Sequence, residues 1–258
     1  MESREVFMKT LGLDWVGTRT RSFKPTVEFF QRVLELPIGL ERPGFVRLDL
    51  PDGAAVEVFD ATYPEYPHFN TGPVIGFAVA DFDAARDEML SAGIELLLPP
   101  GGAPGGYRWQ HFRAPDGCVY EITDYPDRPT PKGPFGTLAI TQLVWCGTST
   151  EKYSAMVEFV KRMLDLRVVE ETTDLLECSL PDGSSFEVFR RSGPMDHPHF
   201  RTGPVPTFRV QDIDWAMQIL SERGVPLIMT RRRTWGGWAH FKAPDGCIYA
   251  VKQVTPHA

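Results

Sequence analysis

The chain of 258 residues says nearly the same thing twice, and that duplication limits its fold more than any single residue does. Trp15-Val16-Gly17-Thr18 returns as Trp145-Cys146-Gly147-Thr148. Leu50-Pro51-Asp52-Gly53 with Glu57-Val58-Phe59 returns as Leu180-Pro181-Asp182-Gly183 with Glu187-Val188-Phe189. His68-Phe69-Asn70-Thr71-Gly72-Pro73 returns from His199 to Pro204, and His111-Phe112-Arg113-Ala114-Pro115-Asp116-Gly117-Cys118 returns from His240 to Cys247. The four pairs are separated by 129 to 131 residues. Constant spacing in constant order marks a tandem duplication.

Each half carries a finer repeat. Residues 13–20 alternate as a strand does, and Pro25 to Leu34 has apolar residues at helical spacing, with Pro25 suited to a first turn. Strands Phe45 to Leu50 and Ala54 to Phe59 meet at Pro51-Asp52-Gly53. The order then recurs: strand Val74 to Ala80, helix from about Asp83 to Ala92 closed by Gly93, and strands near Ile94–Leu97, Tyr107–Arg113 and Cys118–Thr123. A helix over 212–223 is the second-half counterpart. The chain thus reads as four β-α-β-β-β modules, an α+β arrangement. The Pro/Gly-rich segment 126–136 predicts a linker between a domain over 9–125 and another over 137–254.

Composition narrows function by exclusion. A net charge of −7 argues against a nucleic-acid partner. No apolar run reaches membrane-span length, and the N-terminal decade lacks the apolar stretch of a signal peptide, so a cytoplasmic location is expected. The four cysteines form no CxxC pair and read as reduced structural thiols. Arg231-Arg232-Arg233 reads as a solvated loop. Nothing in the sequence sets the oligomeric state, and a homodimer stays open.

Two β-α-β-β-β units per domain, Phe-Phe-(x)3-Leu-Glu-Leu after the first helix, and Pro-Asp-Gly-x-x-Tyr-Glu near the end resemble the vicinal oxygen chelate superfamily. It contains glyoxalase I, extradiol dioxygenases and the fosfomycin- and bleomycin-resistance proteins. The resemblance implies two tandem glyoxalase-like domains whose curled mixed sheets enclose cups. It also implies four metal-ligand positions per domain: a His or Gln on the first strand, a Glu ending unit one, a His opening unit two, and a Glu ending it. Here those positions fall on Trp15 and Trp145, Glu57 and Glu187, Val74 and Val205, and Glu121 and Ala250. An indole only donates a hydrogen bond and Val has no polar atom, so the metal sites read as degenerate. No cofactor is expected, with a divalent cation on Glu57 and Glu121 as the minor alternative.

Two functions follow from what the cups hold instead, beside a third reading in which the cups are filled and the chain is a structural or regulatory module with no ligand. One is small-molecule binding or sequestration of an aromatic, partly anionic ligand, similar to bleomycin-resistance proteins. Its walls would be Trp15, Arg19, Trp109, Trp145, Arg209, Trp238 and His240, with Gly17 and Gly147 leaving a face open for a flat molecule. The other is an enzyme (lyase, isomerase, cyclase or dioxygenase), with Glu57, Glu121 and His111 moving protons in the first domain. His68 and His199, before Thr-Gly-Pro, are expected chiefly to fix the crossing between units.

Overall fold

The computed structural model describes residues 8–102, 106–124, 140–197, 199–200, 202–234 and 236–254. The linker expected over 126–136 lies outside them. Four modules are present. The first holds β1 (Thr10–Thr20), α1 (Phe23–Glu28) running into a π-helical turn (Phe29–Val33), β2 (Ile38–Arg42), β3 (Phe45–Asp49) and β4 (Ala55–Asp60). The second holds β5 (Val74–Val79), α2 (Phe82–Ser91), β6 (Glu95–Gly102), β7 (Arg108–Arg113) and β8 (Val119–Asp124). The third repeats the first as β9 (Ile140–Thr150), α3 (Tyr153–Phe159) with a π-helical turn (Val160–Leu164), β10 (Arg167–Glu171), β11 (Leu175–Ser179) and β12 (Ser185–Arg190). The fourth repeats the second as β13 (Val205–Val210), α4 (Ile213–Glu222), β14 (Leu227–Arg233), β15 (Gly236–Lys242) and β16 (Ile248–Val254).

Local chemistry sets the boundaries. Asp81 and Asp212 cap α2 and α4, each accepting from the backbone N–H three residues on at 3.0 Å. Gly93 and Gly224 follow at φ 74° and 70°, the left-handed residue that ends a helix. In every Asp-Gly turn the aspartate accepts the N–H two residues on at 2.9 Å.

What sequence order did not reveal is which modules share a sheet. One eight-stranded sheet runs β14-β15-β16-β13-β1-β4-β3-β2 and the other β10-β11-β12-β9-β5-β8-β7-β6. Module 1 therefore pairs with module 4, and module 2 with module 3. The joins are antiparallel, β1 with β13 and β5 with β9. The turn aspartates hold this exchange in place: Asp52 accepts the N–H of Leu143 and Asp182 that of Leu13, both at 3.0 Å. Each stitches module 1 to module 3 across the molecule.

The two crossing segments meet at the centre. Gly72 and Gly203 exchange backbone hydrogen bonds of 3.2 and 3.1 Å. A Cβ on Gly72 would lie 1.9 Å from the Pro204 carbonyl oxygen, and one on Gly203 1.7 Å from that of Pro73. Only glycine lets these backbones approach so closely. The helices cover a continuous apolar core that includes Phe30, Phe77, Tyr120, Phe186, Phe208 and Tyr249. The opposite face of each sheet carries its own smaller cluster, around Trp15 in one and Trp145 in the other. The four cysteines are buried, and none forms a disulfide among the described residues. Among the described residues no helix is long and apolar enough to cross a membrane.

Candidate functional site

Sheet pairing divides the expected site residues into two groups. Trp15, Glu57, Arg209, Trp238 and His240 share the sheet of modules 1 and 4 and line one cavity of about 820 Å³. Trp109, His111, Glu121 and Trp145 belong to the sheet of modules 2 and 3. Glu57 and the Glu121–His111 pair therefore do not converge. Side chains from all eight strands of the first sheet reach its cavity, so this sheet is concave there.

The cavity has an aromatic lining of Trp15, Phe45, Phe59, Tyr63, Tyr66 and Trp238. Five cations face it, Arg42, Arg47, Arg209, Arg233 and Lys252, against the carboxyls of Asp14, Glu57 and Glu65. Most of the acids already have partners. Lys252 donates to Asp14 at 2.6 Å with Arg209 3.8 Å from the same carboxylate, and Arg231 lies 3.9 Å from Glu65. Arg47 bonds Asp49 at 2.6 Å, outside the lining. Arg233 sits over the Trp238 ring at 5.8 Å, and Arg42 has no carboxylate within ion-pair distance among the described residues. Burial drives the Glu57 carboxyl up to about 7, against the pull of Lys252, the Trp15 indole N–H and Arg47. At neutral pH it is about half protonated.

His240 lies 1% exposed and packs against the mutually stacked rings of Tyr66 and Phe69, its centroid 5.5 Å from each. Its Nδ1 meets His68 Nε2 at 2.6 Å. Burial lowers its pKa to about 3, so the ring is neutral. His68 thus does fix the crossing segment, and it does so by docking on a cavity residue.

The other cup is built on the same plan, with a histidine, a glutamate and a tyrosine meeting inside it. His111 Nδ1 meets His199 Nε2 at 2.9 Å, the counterpart of His240 with His68. His111 Nε2 lies 3.2 Å from Glu121 Oε2, close enough for an ion pair but without hydrogen-bond alignment. Tyr107 donates to Glu121 at 3.3 Å. Glu121 is 2% exposed and its carboxyl is held well above the usual range by burial. Glu187 is pushed up to about 8, first by burial and then by Glu121. The repeat explains the contrast: His111 faces Glu121 across the strand pair and His240 faces Ala250. Tyr107 corresponds to Gly236 at the same spacing. Two small residues leave open in one cup what a tyrosine and a glutamate fill in the other.

Three expectations change. Gly17 and Gly147 do not hold a face open, because the Trp15 and Trp145 indoles fold over them; a Cβ there would lie 2.2 and 2.1 Å from the ring. Arg19 does not line the cavity: it donates to the carbonyls of Ala61 and Tyr63 at 2.5 and 2.9 Å and pins the crossing segment. Arg231 to Arg233 are strand, not loop; Arg232 pairs with Asp214 and Arg233 faces the cavity. Sequence reading missed Arg42, Tyr66, Arg233 and Lys252. The Arg triplet was the visible signal for one of them.

Residues 12–122 match the profile of the Glyoxalase/Bleomycin resistance protein/Dioxygenase superfamily. Among curated proteins none matches the sequence. A protein from Bacillus subtilis subsp. subtilis str. 168, whose description proposes a dioxygenase, superposes with a TM-score of 0.74 at 14% identity, over 96% of this chain and 87% of its own. Glyoxalase I from Zea mays superposes with a TM-score of 0.65 at 14% identity, over 95% and 92%. At such identity the likeness is one of fold.

Proposed function

We propose that this chain, whose residues 12–122 match the Glyoxalase/Bleomycin resistance protein/Dioxygenase superfamily profile, uses its open cup, between modules 1 and 4, to bind a flat aromatic molecule carrying negative charge, and does so without a metal. The observation that carries this reading is the composition of the 820 Å³ cavity: aromatic walls with more cations than carboxylates, in a size range suited to small organic ligands. The ring of Trp15 supplies the stacking surface and Arg42 and Arg233 the charge. Glu57, when protonated, adds a hydrogen-bond donor.

A metal does not fit the donors present. In the open cup the sheet register brings together Trp15, Gly17, Glu57, Thr207 and Ala250, with His240 opposite Ala250, so it offers one carboxylate and one imidazole, fewer protein ligands than a metal centre uses. In the filled cup Glu121 and Glu187 are both held toward the protonated form, beneath an indole that can only donate. Among the described residues no three His, Cys, Asp or Glu side chains cluster as a metal centre requires. The role is then binding or sequestration. Catalysis by Glu57, Glu121 and His111 together has no common site, since they occupy two sheets.

The test is calorimetric titration of 1-naphthoate into protein dialysed against chelator. Binding should persist after dialysis, and Trp15→Ala should weaken it about tenfold or more, as loss of a stacked indole does. Unchanged affinity in Trp15→Ala, or binding that appears only with added divalent metal, overturns the proposal.

A further inference from the structure

The duplicated histidines give a comparison inside one molecule. Both cup imidazoles use Nδ1 to meet a crossing-segment histidine, at 2.6 Å in the open cup and 2.9 Å in the filled one. In the filled cup the remaining nitrogen, His111 Nε2, is met by Glu121. In the open cup the cross-strand neighbour is Ala250, and both His240 and Ala250 line the cavity. Among the described residues His240 has no other hydrogen-bond partner, so its Nε2 is left for whatever occupies the cup.

The geometry points to a His240–His68 proton relay that admits hydroxyaromatic compounds with an acidic O–H and binds them as phenolates. This rests on the aromatic-cup reading above and adds the ligand's ionisable group to it. The ligand O–H gives its proton to His240 Nε2, His240 Nδ1–H passes one to His68 Nε2, and half-buried His68 releases one to solvent. Each imidazole ends neutral and the proton count balances: one ligand proton appears in solution for each molecule bound.

Burial explains why a relay is needed. His240 cannot keep a second proton, because desolvation, with His68 and Arg231 adding to it, holds its pKa near 3. The phenolate formed would face Arg209 on β13, Arg233 on β14, Lys252 on β16 and Arg42 on β2, with Glu57 on β4, Asp14 on β1 and Glu65 on the crossing segment as the opposing acids. The cations outnumber them, which favours the anion.

The experiment uses 4-nitrophenol, which is yellow only as phenolate, beside 4-nitroanisole, which has no O–H. At a pH where the free phenol is mostly protonated, the full chain should turn the probe yellow on binding. Calorimetry in two buffers of different ionisation enthalpy should count one proton released. 4-Nitroanisole should bind about tenfold more weakly or worse. His240→Phe keeps an aromatic ring in the cup and should lose the yellow band and the preference for the phenol over 4-nitroanisole. Ala250→Glu recreates the filled-cup contact and should also abolish the band. A bound phenol that stays protonated, or a band that survives His240→Phe, refutes the relay and leaves the aromatic cup standing. Failure of both probes to bind overturns the cup reading and the relay with it.

Discussion

Replacing Glu57 by glutamine tests the electrostatics of the open cup through stability alone, without any ligand. Glu57 ionises near 4.5 in an unfolded chain and near 7 in the fold, with burial as the main cause. The folded state therefore holds a proton that the unfolded state has lost throughout the interval between those values. Since stability changes with pH according to the protons bound unfolded minus those bound folded, it must fall as pH rises through that interval. The stabilising contribution is fully present below about pH 4.5 and is gone above about pH 7. The rise corresponds to about 3 kcal/mol, at about 1.4 kcal/mol per pH unit. That figure is an upper bound, because the carboxyl lines a cavity that water can enter.

Glutamine mimics the protonated acid at every pH, so Glu57→Gln removes this one slope and leaves every other titration in place. Urea unfolding of both proteins from about pH 4.5 to about pH 8 gives the difference directly. The two should be equally stable at the acid end. The variant should gain steadily with pH, becoming up to about 3 kcal/mol more stable than the parent at the alkaline end. Parallel profiles, or a variant that loses ground as pH rises, would refute the placement of Glu57 in a desolvated cup.

Three further perturbations probe the assembly and the mouth. Gly72→Ala or Gly203→Ala forces a methyl into a backbone carbonyl and should cost about 3 kcal/mol or more, seen as a lower urea midpoint; the double variant should cost less than the sum, since both disturb one contact. Asp182→Ala strips the Leu13 N–H of its acceptor between modules 1 and 3 and should cost about 1 to 2 kcal/mol by the same assay. Arg42→Ala combined with Arg233→Ala should weaken 1-naphthoate about tenfold at low ionic strength and leave a smaller dependence of affinity on salt.

Much of the fold was legible because its signals are local. The Pro-Asp-Gly turns, the Asp81 and Asp212 caps and the glycines at 93 and 224 each act within a few residues, and the repeat multiplied every signal by two or four. Module pairing was not legible. A first module can join a second or a fourth with the same strand pattern, and the choice lies in long-range pairing such as Trp15 on β1 with Thr207 on β13. That choice divided the candidate site, sending Glu57 to one sheet and Glu121 with His111 to the other. The glycines beside each tryptophan were misread for a related reason: sequence shows that space exists, and only packing shows that the indole itself fills it. The difference between the cups was present in the repeat all along, as Tyr107 against Gly236 and Glu121 against Ala250.

The most direct test is a crystal structure of the protein soaked with 1-naphthoate and refined without assuming a site. The account predicts one molecule per chain, its rings against Trp15 and its carboxylate toward Arg42 and Arg233, with the Trp145 cup still closed by Tyr107 and Glu121. A ligand found in the Trp145 cup, or a Trp15 cup left empty by a ligand that binds in solution, would contradict it.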